Sequence, residues 1–291
     1  MTALSDNWLH WIDDNLARGC SLASLVEAMV RDGFDASVAL QHIQGRANRG
    51  LRQITPARGG VDMTNTAVMG PFVYEEPRLP HSSGVIHTTG HDVRVAFRMA
   101  QPVVVLLDHL LTAQECDELV ELSRAKLKRS TIVDPNTGRE AVINDRSSNG
   151  TFFNINENAF IAKLDQRISE VMNLPVENGE GIQILHYTLG GEYKPHFDYF
   201  PPADPGSQVH LAKGGQRVST LVMYLNDVQA GGETVFPNLQ LSVVPRKGSA
   251  VYFEYCNSLG QVDPQTLHGG QPVTAGEKWI ATKWMRQRRY R

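Results

Sequence analysis

Residues 185–200 read LHYTLGGEYKPHFDYF, and within them His196-Phe197-Asp198 is the only His-x-Asp of the chain. In extended backbone, residues i and i+2 share a face with Cα atoms about 6–7 Å apart, so an imidazole and a carboxylate can converge on one ion. A third ligand completes the two-histidine, one-carboxylate facial set that leaves positions open on non-haem Fe(II). The best candidate is His268, inside Thr266-Leu267-His268-Gly269-Gly270. The pair alone would serve equally well as turn or core residues.

Outward from this stretch, the sequence after Ile182 breaks into short apolar runs separated by Gly and Pro. They are Ile182–Tyr187, Val218–Leu225, Leu241–Val244, Ser249–Phe253 and Lys278–Met285. Many short antiparallel strands indicate a sandwich or jelly roll. In the last run, period-two alternation places Lys278, Ile280, Thr282, Trp284 and Arg286 on one face. A lone cation on an interior face needs an anion, although an edge-strand lysine that blunts aggregation reads the same way. Tyr187 precedes the His-x-Asp, while Thr220, Val222 and Tyr224 share a face on another strand, so hydroxyls could line the same cavity. Gly231-Gly232 and Gly269-Gly270 are expected in tight turns at its mouth. Upstream, 102–107 (PVVVLL) reads as a buried strand, and Thr112 with Glu115 has the form of a capping box opening a helix. A second helix is expected over Ala159–Met172.

The first 45 residues carry helical stripes instead: Trp8, Trp11, Ile12 and Leu16; then Leu22, Leu25, Val26, Met29 and Val30 behind Ser21; then Val38, Leu40 and Ile43. A unit over 1–45 is followed by a linker or arm over 46–100 and a main domain over 101–291. The chain is ordinary in composition, with 20% charged and 41% hydrophobic residues and a net charge of −3, so a generally phosphate-seeking surface is not expected. Three widely spaced cysteines (Cys20, Cys116, Cys256) fit a reducing compartment better than a disulfide framework. With neither signal-peptide pattern nor membrane-length apolar run, the expectation is a cytoplasmic protein with no membrane or nucleic-acid partner.

Four ordered segments together carry a resemblance: Leu185–Phe200, Arg217–Pro237 (RVSTLVMYLNDVQAGGETVFP), Val244–Phe253 (VPRKGSAVYF) and Leu267–Arg286 (LHGGQPVTAGEKWIATKWMR). With Arg146-Ser147-Ser148 upstream, residues 101–288 resemble the prolyl 4-hydroxylase family of Fe(II)/2-oxoglutarate dioxygenases. The resemblance implies an α+β fold, a double-stranded β-helix (jelly-roll) core with flanking helices, to which the small N-terminal helical unit is added. It implies Fe(2+) held by His196, Asp198 and His268, the distal carboxylate of 2-oxoglutarate on Lys278, and Tyr187 and Tyr224 facing that cosubstrate. Arg146, Ser148, Arg217 and Trp284 then border the mouth for a proline-containing protein or peptide. The resemblance further implies dioxygen as co-reactant and L-ascorbate to sustain turnover. One departure is Arg286, where family members often carry histidine.

Two other functions remain open on the residues: the same core hydroxylating a free amino acid or other small molecule, and a non-catalytic jelly-roll binding module. The N-terminal helices are read either as an adaptor for a partner or as a packing extension.

Overall fold

The computed structural model describes residues 6–17, 22–35, 38–40, 42–43, 46, 72–81, 83–134, 136–141 and 145–290. The chain divides into two compact units, Met1–Val68 and Met69–Arg291. In the smaller unit, α1 (Asp6–Ala17) and α2 (Leu22–Arg31) are followed by helical residues at 38–40 and 42–43. Ile12, Leu25, Met29, Ala39 and Ile43 form its core, with Trp8 edge-on to Trp11 and Phe34. Two expectations fail in detail. Val30, in the last turn of α2, is exposed, and so are Val38 and Leu40, because the third helical stretch turns Ala39 and Ile43 inward instead, one helical turn apart. Ser21, Cys20 and positions 47–71 and 82 of the expected linker lie outside the described residues.

In the larger unit, β1 (Val85–His87), β2 (Asp92–Ala100) and β3 (Val103–Asp108) precede α3 (Ala113–Arg124). The expected arm therefore ends earlier than residue 100: its last part is strand, paired to the main sheet through β2 and β3. The capping box is present, Thr112 Oγ1 accepting from Glu115 N at 3.1 Å and the Glu115 carboxylate from Thr112 N at 2.9 Å. Next come β4 (Lys128–Arg129), β5 (Ile132–Val133), β6 (Glu140–Ala141), β7 (Asn149–Phe153) and α4 (Ala159–Met172). Asn158 caps α4, accepting from Ile161 N at 2.9 Å.

Beyond α4 the strands are β8 (Ile182–Tyr187), β9 (Tyr193–His196), β10 (Arg217–Tyr224), β11 (Ala230–Gly231), β12 (Thr234–Phe236), β13 (Leu241–Val243), β14 (Ala250–Glu254), β15 (His268–Gly270), β16 (Val273–Ala275) and β17 (Lys278–Arg286). A short helix, α5 (Ser207–Ala212), lies between β9 and β10. Nine strands form the major sheet in the order β1-β2-β3-β14-β10-β17-β8-β7-β4, and four form the minor sheet in the order β13-β12-β15-β9. Strands far apart in sequence pair in both, β8 and β10 with β17 in the major sheet and β9 with β15 in the minor, as the expected double-stranded β-helix requires. The core between the sheets includes Val222, Tyr224, Phe236, Phe253 and Ile280.

Strand β17 sits inside the major sheet between β10 and β8. One face, Lys278, Ile280, Thr282, Trp284 and Arg286, lines a cavity as the alternation predicts. The other meets the helices: Lys283 Nζ lies 2.7 Å from Asp165 of α4, and the Arg124 guanidinium sits over Trp279. Among the described residues no helix is long and apolar enough to cross a membrane, and Cys116 and Cys256 are free and buried.

Candidate active site

The cavity measures about 460 Å³, room for a small cosubstrate beside a larger group. His196 ends β9 and His268 begins β15, and the two are direct partners in the antiparallel register. Asp198 follows just past the end of β9. Its carboxylate oxygens stand 3.6 Å from His196 Nε2 and 3.4 Å from His268 Nε2. Donor atoms of all three lie within 4.8 Å of one another, the one such cluster among the described residues.

Each ring is oriented through its far nitrogen. His196 Nδ1 is 2.9 Å from Lys194 O, and His268 Nδ1 is 3.0 Å from Thr266 O. A proton on Nδ1 leaves both Nε2 lone pairs directed at a shared point, the tautomer a metal ligand needs. Thr220 Oγ1, expected to line the cavity, instead donates to Asp198 Oδ2 at 2.7 Å and lies 2.9 Å from Tyr255 Oη. Burial, then the nearby His268, lowers the pKa of His196. Burial alone would raise that of Asp198, but the two imidazoles hold it well below the usual carboxylate range. Two imidazoles beside a carboxylate anion suit a divalent cation.

The glycines at 269 and 270 are not in a turn but in β15. A Cβ at Gly269 would lie 2.9 Å from Tyr193 O, so only glycine lets β9 approach closely enough to bring the histidines opposite one another. Gly231 and Gly232 do adopt positive φ, both at 72°.

Lys278 is buried at the cavity end nearest Tyr187, its Nζ 5.5 Å from that ring's centroid. It makes no hydrogen bond or ion pair among the described residues, and burial pushes its pKa down to about 8, with Glu233 opposing. The Tyr187 hydroxyl is held by Ser148 and Arg146. Tyr224 lies one layer back, donating to Thr234 Oγ1 at 2.8 Å, and Thr234 reaches the cavity in its place. Ser148 is also behind the wall, bonded to Ser130.

Arg146, Arg217 and Trp284 do line the cavity. The Arg217 guanidinium lies between the rings of Trp284 and Phe200, 4.0 and 4.8 Å from their centroids, and donates to Asp198 O at 3.2 Å. Its anion is Glu180, at 2.6 and 2.8 Å, which also accepts from Arg286 at 3.2 Å. Burial would raise the Glu180 pKa, but the two arginines lower it. Glu180 was not legible in the sequence. Neither was Tyr193, which stacks on His196 at 3.6 Å beneath the Arg146 guanidinium.

Two interlocked sheets, a facial His/Asp/His set and an unpaired buried lysine define a non-haem Fe(II), 2-oxoglutarate-dependent dioxygenase. Residues 182–286 match the 2OG-Fe(II) oxygenase superfamily. The chain is 38% identical over 210 residues to probable prolyl 4-hydroxylase 10 of Arabidopsis thaliana, covering 66% of this chain and 71% of that protein. It is 41% identical over 202 residues to prolyl 4-hydroxylase 1 of the same plant, covering 64% and 70%. Among solved structures it resembles the viral collagen prolyl hydroxylase of Paramecium Bursaria Chlorella virus-1 in its 2OG complex, with a TM-score of 0.50 and 30% identity over 63% of this chain and 95% of the other. The chain belongs to the prolyl 4-hydroxylase family.

Proposed function

We propose that the protein hydroxylates a prolyl residue of a protein or peptide while 2-oxoglutarate is decarboxylated to succinate. The observation that carries this reading is one cavity holding both the Nδ1-tethered His196/Asp198/His268 set and the unpaired Lys278. These three side chains have the donor chemistry for Fe(II), and Lys278 supplies the cation for the distal carboxylate of 2-oxoglutarate. Bound there, Fe(II) would supply the dioxygen activation that couples decarboxylation to hydroxylation of carbon.

The chain's own residues then bind and orient. Tyr187 walls the cosubstrate end, with Arg146 and Ser148 holding its hydroxyl, and Tyr224 supports the same end through Thr234. Arg217 ties the Asp198 backbone to the substrate end, where Trp284 offers an aromatic face for a pyrrolidine ring. Extended proline segments dock on such faces with little entropy loss. In the same reading L-ascorbate would keep the iron that His196, Asp198 and His268 would hold in its ferrous state, the protein works in the cytoplasm, and the N-terminal helical unit engages a partner.

The test supplies Fe(II), ascorbate and 2-oxoglutarate with proline peptides or free proline, following succinate and the gain of one oxygen atom by mass. Oxygen gained by a peptide and not by free proline is expected. Efficient hydroxylation of free proline, with every peptide unchanged, would replace this reading with the small-molecule one.

A further inference from the structure

Resting on that reading, the structure points to the class of peptide. Going along β17 from Lys278 to Arg286 covers roughly 26 Å at about 3.3 Å per residue. Arg217 and Arg286 stand toward the end away from Lys278, and Arg146 lies between the ends, bonded to Gln183, whose register partner is Thr282 in the middle of β17. Arg217 and Arg286 share one carboxylate, Glu180. Arg146 has none, its donors going to Thr131 O, Gln183 Oε1 and Ser148 Oγ, all neutral. Asp204 is the one other carboxylate on the wall outside the metal set. Along the wall beyond Lys278, three guanidinium groups therefore face two carboxylates outside the metal set.

The rim continues the excess. Tyr290 lines the cavity and lies under the Arg286 guanidinium, 5.3 Å from ring centroid to Cζ. Its neighbours Arg288 and Arg289 are exposed, and Arg288 N bonds to Gly214 O at 2.9 Å, which brings Lys213 into the same region. Arg288, Arg289 and Lys213 make no ion pair among the described residues, and the nearby exposed acid is Glu177, whose carbonyl accepts from Tyr290 N at 2.8 Å. In a chain of net charge −3, this is a local field of the opposite sign, concentrated at a cleft with low-dielectric walls.

We propose that the substrate is an acidic peptide, with Glu or Asp beside the target proline on the side that leaves the cavity past Tyr290. Arg286 itself is not the direct reader. It is buried and held by Glu180 and the His210 carbonyl, so it contributes field while Arg288 and Arg289 make the flexible contacts.

The experiment uses the full chain with Fe(II) and 2-oxoglutarate, and three peptides sharing one proline core but flanked by Glu, Gln or Lys. Oxygen incorporation gives kcat and KM for each. The Glu peptide is expected to exceed the Gln peptide in kcat/KM by about tenfold, equivalent to ~1.4 kcal/mol, mainly through KM. The advantage should shrink at high salt, and the Glu-to-Gln ratio should approach one in the Arg288→Gln/Arg289→Gln variant. Equal or poorer use of the Glu peptide, with the Gln peptide hydroxylated, overturns the charge preference and leaves prolyl hydroxylation standing. Hydroxylation of none of the three overturns both.

Discussion

Lys278 and Lys283 stand on the same strand, both buried, on opposite faces of the major sheet. Lys283 meets Asp165 of α4 at 2.7 Å with both side chains sealed from solvent, and its charge is answered inside the protein. Lys278 opens on the cavity with no bonded anion among the described residues, Glu233 acting on it only through space. Burial depresses both pKa values, and only for Lys283 does a bonded carboxylate oppose the fall. The difference separates a cation kept for the fold from one kept for a ligand. A buried charge without a partner is costly, so its presence in a cavity implies an anion supplied from outside.

Substitutions on the two faces should therefore fail in different assays. The largest loss belongs to the cavity face. His196→Ala, Asp198→Ala or His268→Ala should each reduce 2-oxoglutarate turnover to background, with melting in metal-free buffer little altered. A folded variant with wild-type turnover and iron affinity would show that the metal is held elsewhere.

Lys278→Met comes next. Losing one side of a buried charge pair costs about 3–5 kcal/mol, so the KM for 2-oxoglutarate should rise a hundredfold or more while iron affinity holds. The same change should stabilise the ligand-free protein by up to roughly 3 kcal/mol at neutral pH, since an unpaired buried ammonium is removed. On the helix face the pattern inverts. Lys283→Met should cost about 3–5 kcal/mol of stability by stranding Asp165, and the Asp165→Leu/Lys283→Met pair should recover most of it. Neither should move the KM for 2-oxoglutarate. If calorimetry and kinetics gave the same ranking for both lysines, the division between the faces would collapse.

The smallest effect is a pH dependence. The ligand-free pKa of Lys278 lies near 8, below the usual 10.5, so the cation is present below pH 8 and lost above it. Above that point cosubstrate binding must take up a proton, and the KM for 2-oxoglutarate should rise by up to about tenfold per pH unit. Lys278→Arg, which keeps its charge, should flatten that rise if the longer side chain is tolerated.

The same two faces show what the sequence makes legible. The major sheet was readable because its strands are apolar runs, β8 matching Ile182–Tyr187 and β17 differing by one residue from the expected end. In the minor sheet only β13 was readable, within one residue of the run Leu241–Val244; β9 and β15 were not. His268-Gly269-Gly270 and Tyr193-Lys194-Pro195-His196 have no hydrophobic alternation, and Gly and Pro argue against strands. Their residues were legible as a motif while their secondary structure was hidden, because the constraint on β9 and β15 is close backbone approach. Glu180 and Tyr193 were invisible for a related reason: their partners Arg217, Arg286 and Arg146 are set by folding, and sequence separation carries no trace of the contact. Tyr224 and Ser148 were placed one layer too far forward, since a shared strand face does not say how deep a side chain ends.

One consequence follows from the place of β9 in the minor sheet. Within that sheet it has one strand neighbour, β15, its other side meeting only the short segment 145–147 through an Arg146–Tyr193 bridge, and β9 and β15 each contribute one histidine. An ion gripped by both would act as a rivet through the seam, closing a long excursion of the chain that backbone bonds alone close weakly. The demetallated protein should then unravel first at this margin, with amides of 193–198 exchanging with heavy water ahead of those in β10 and β17. Metal supply would thereby set how long the molecule survives proteases, quite apart from how fast it turns over.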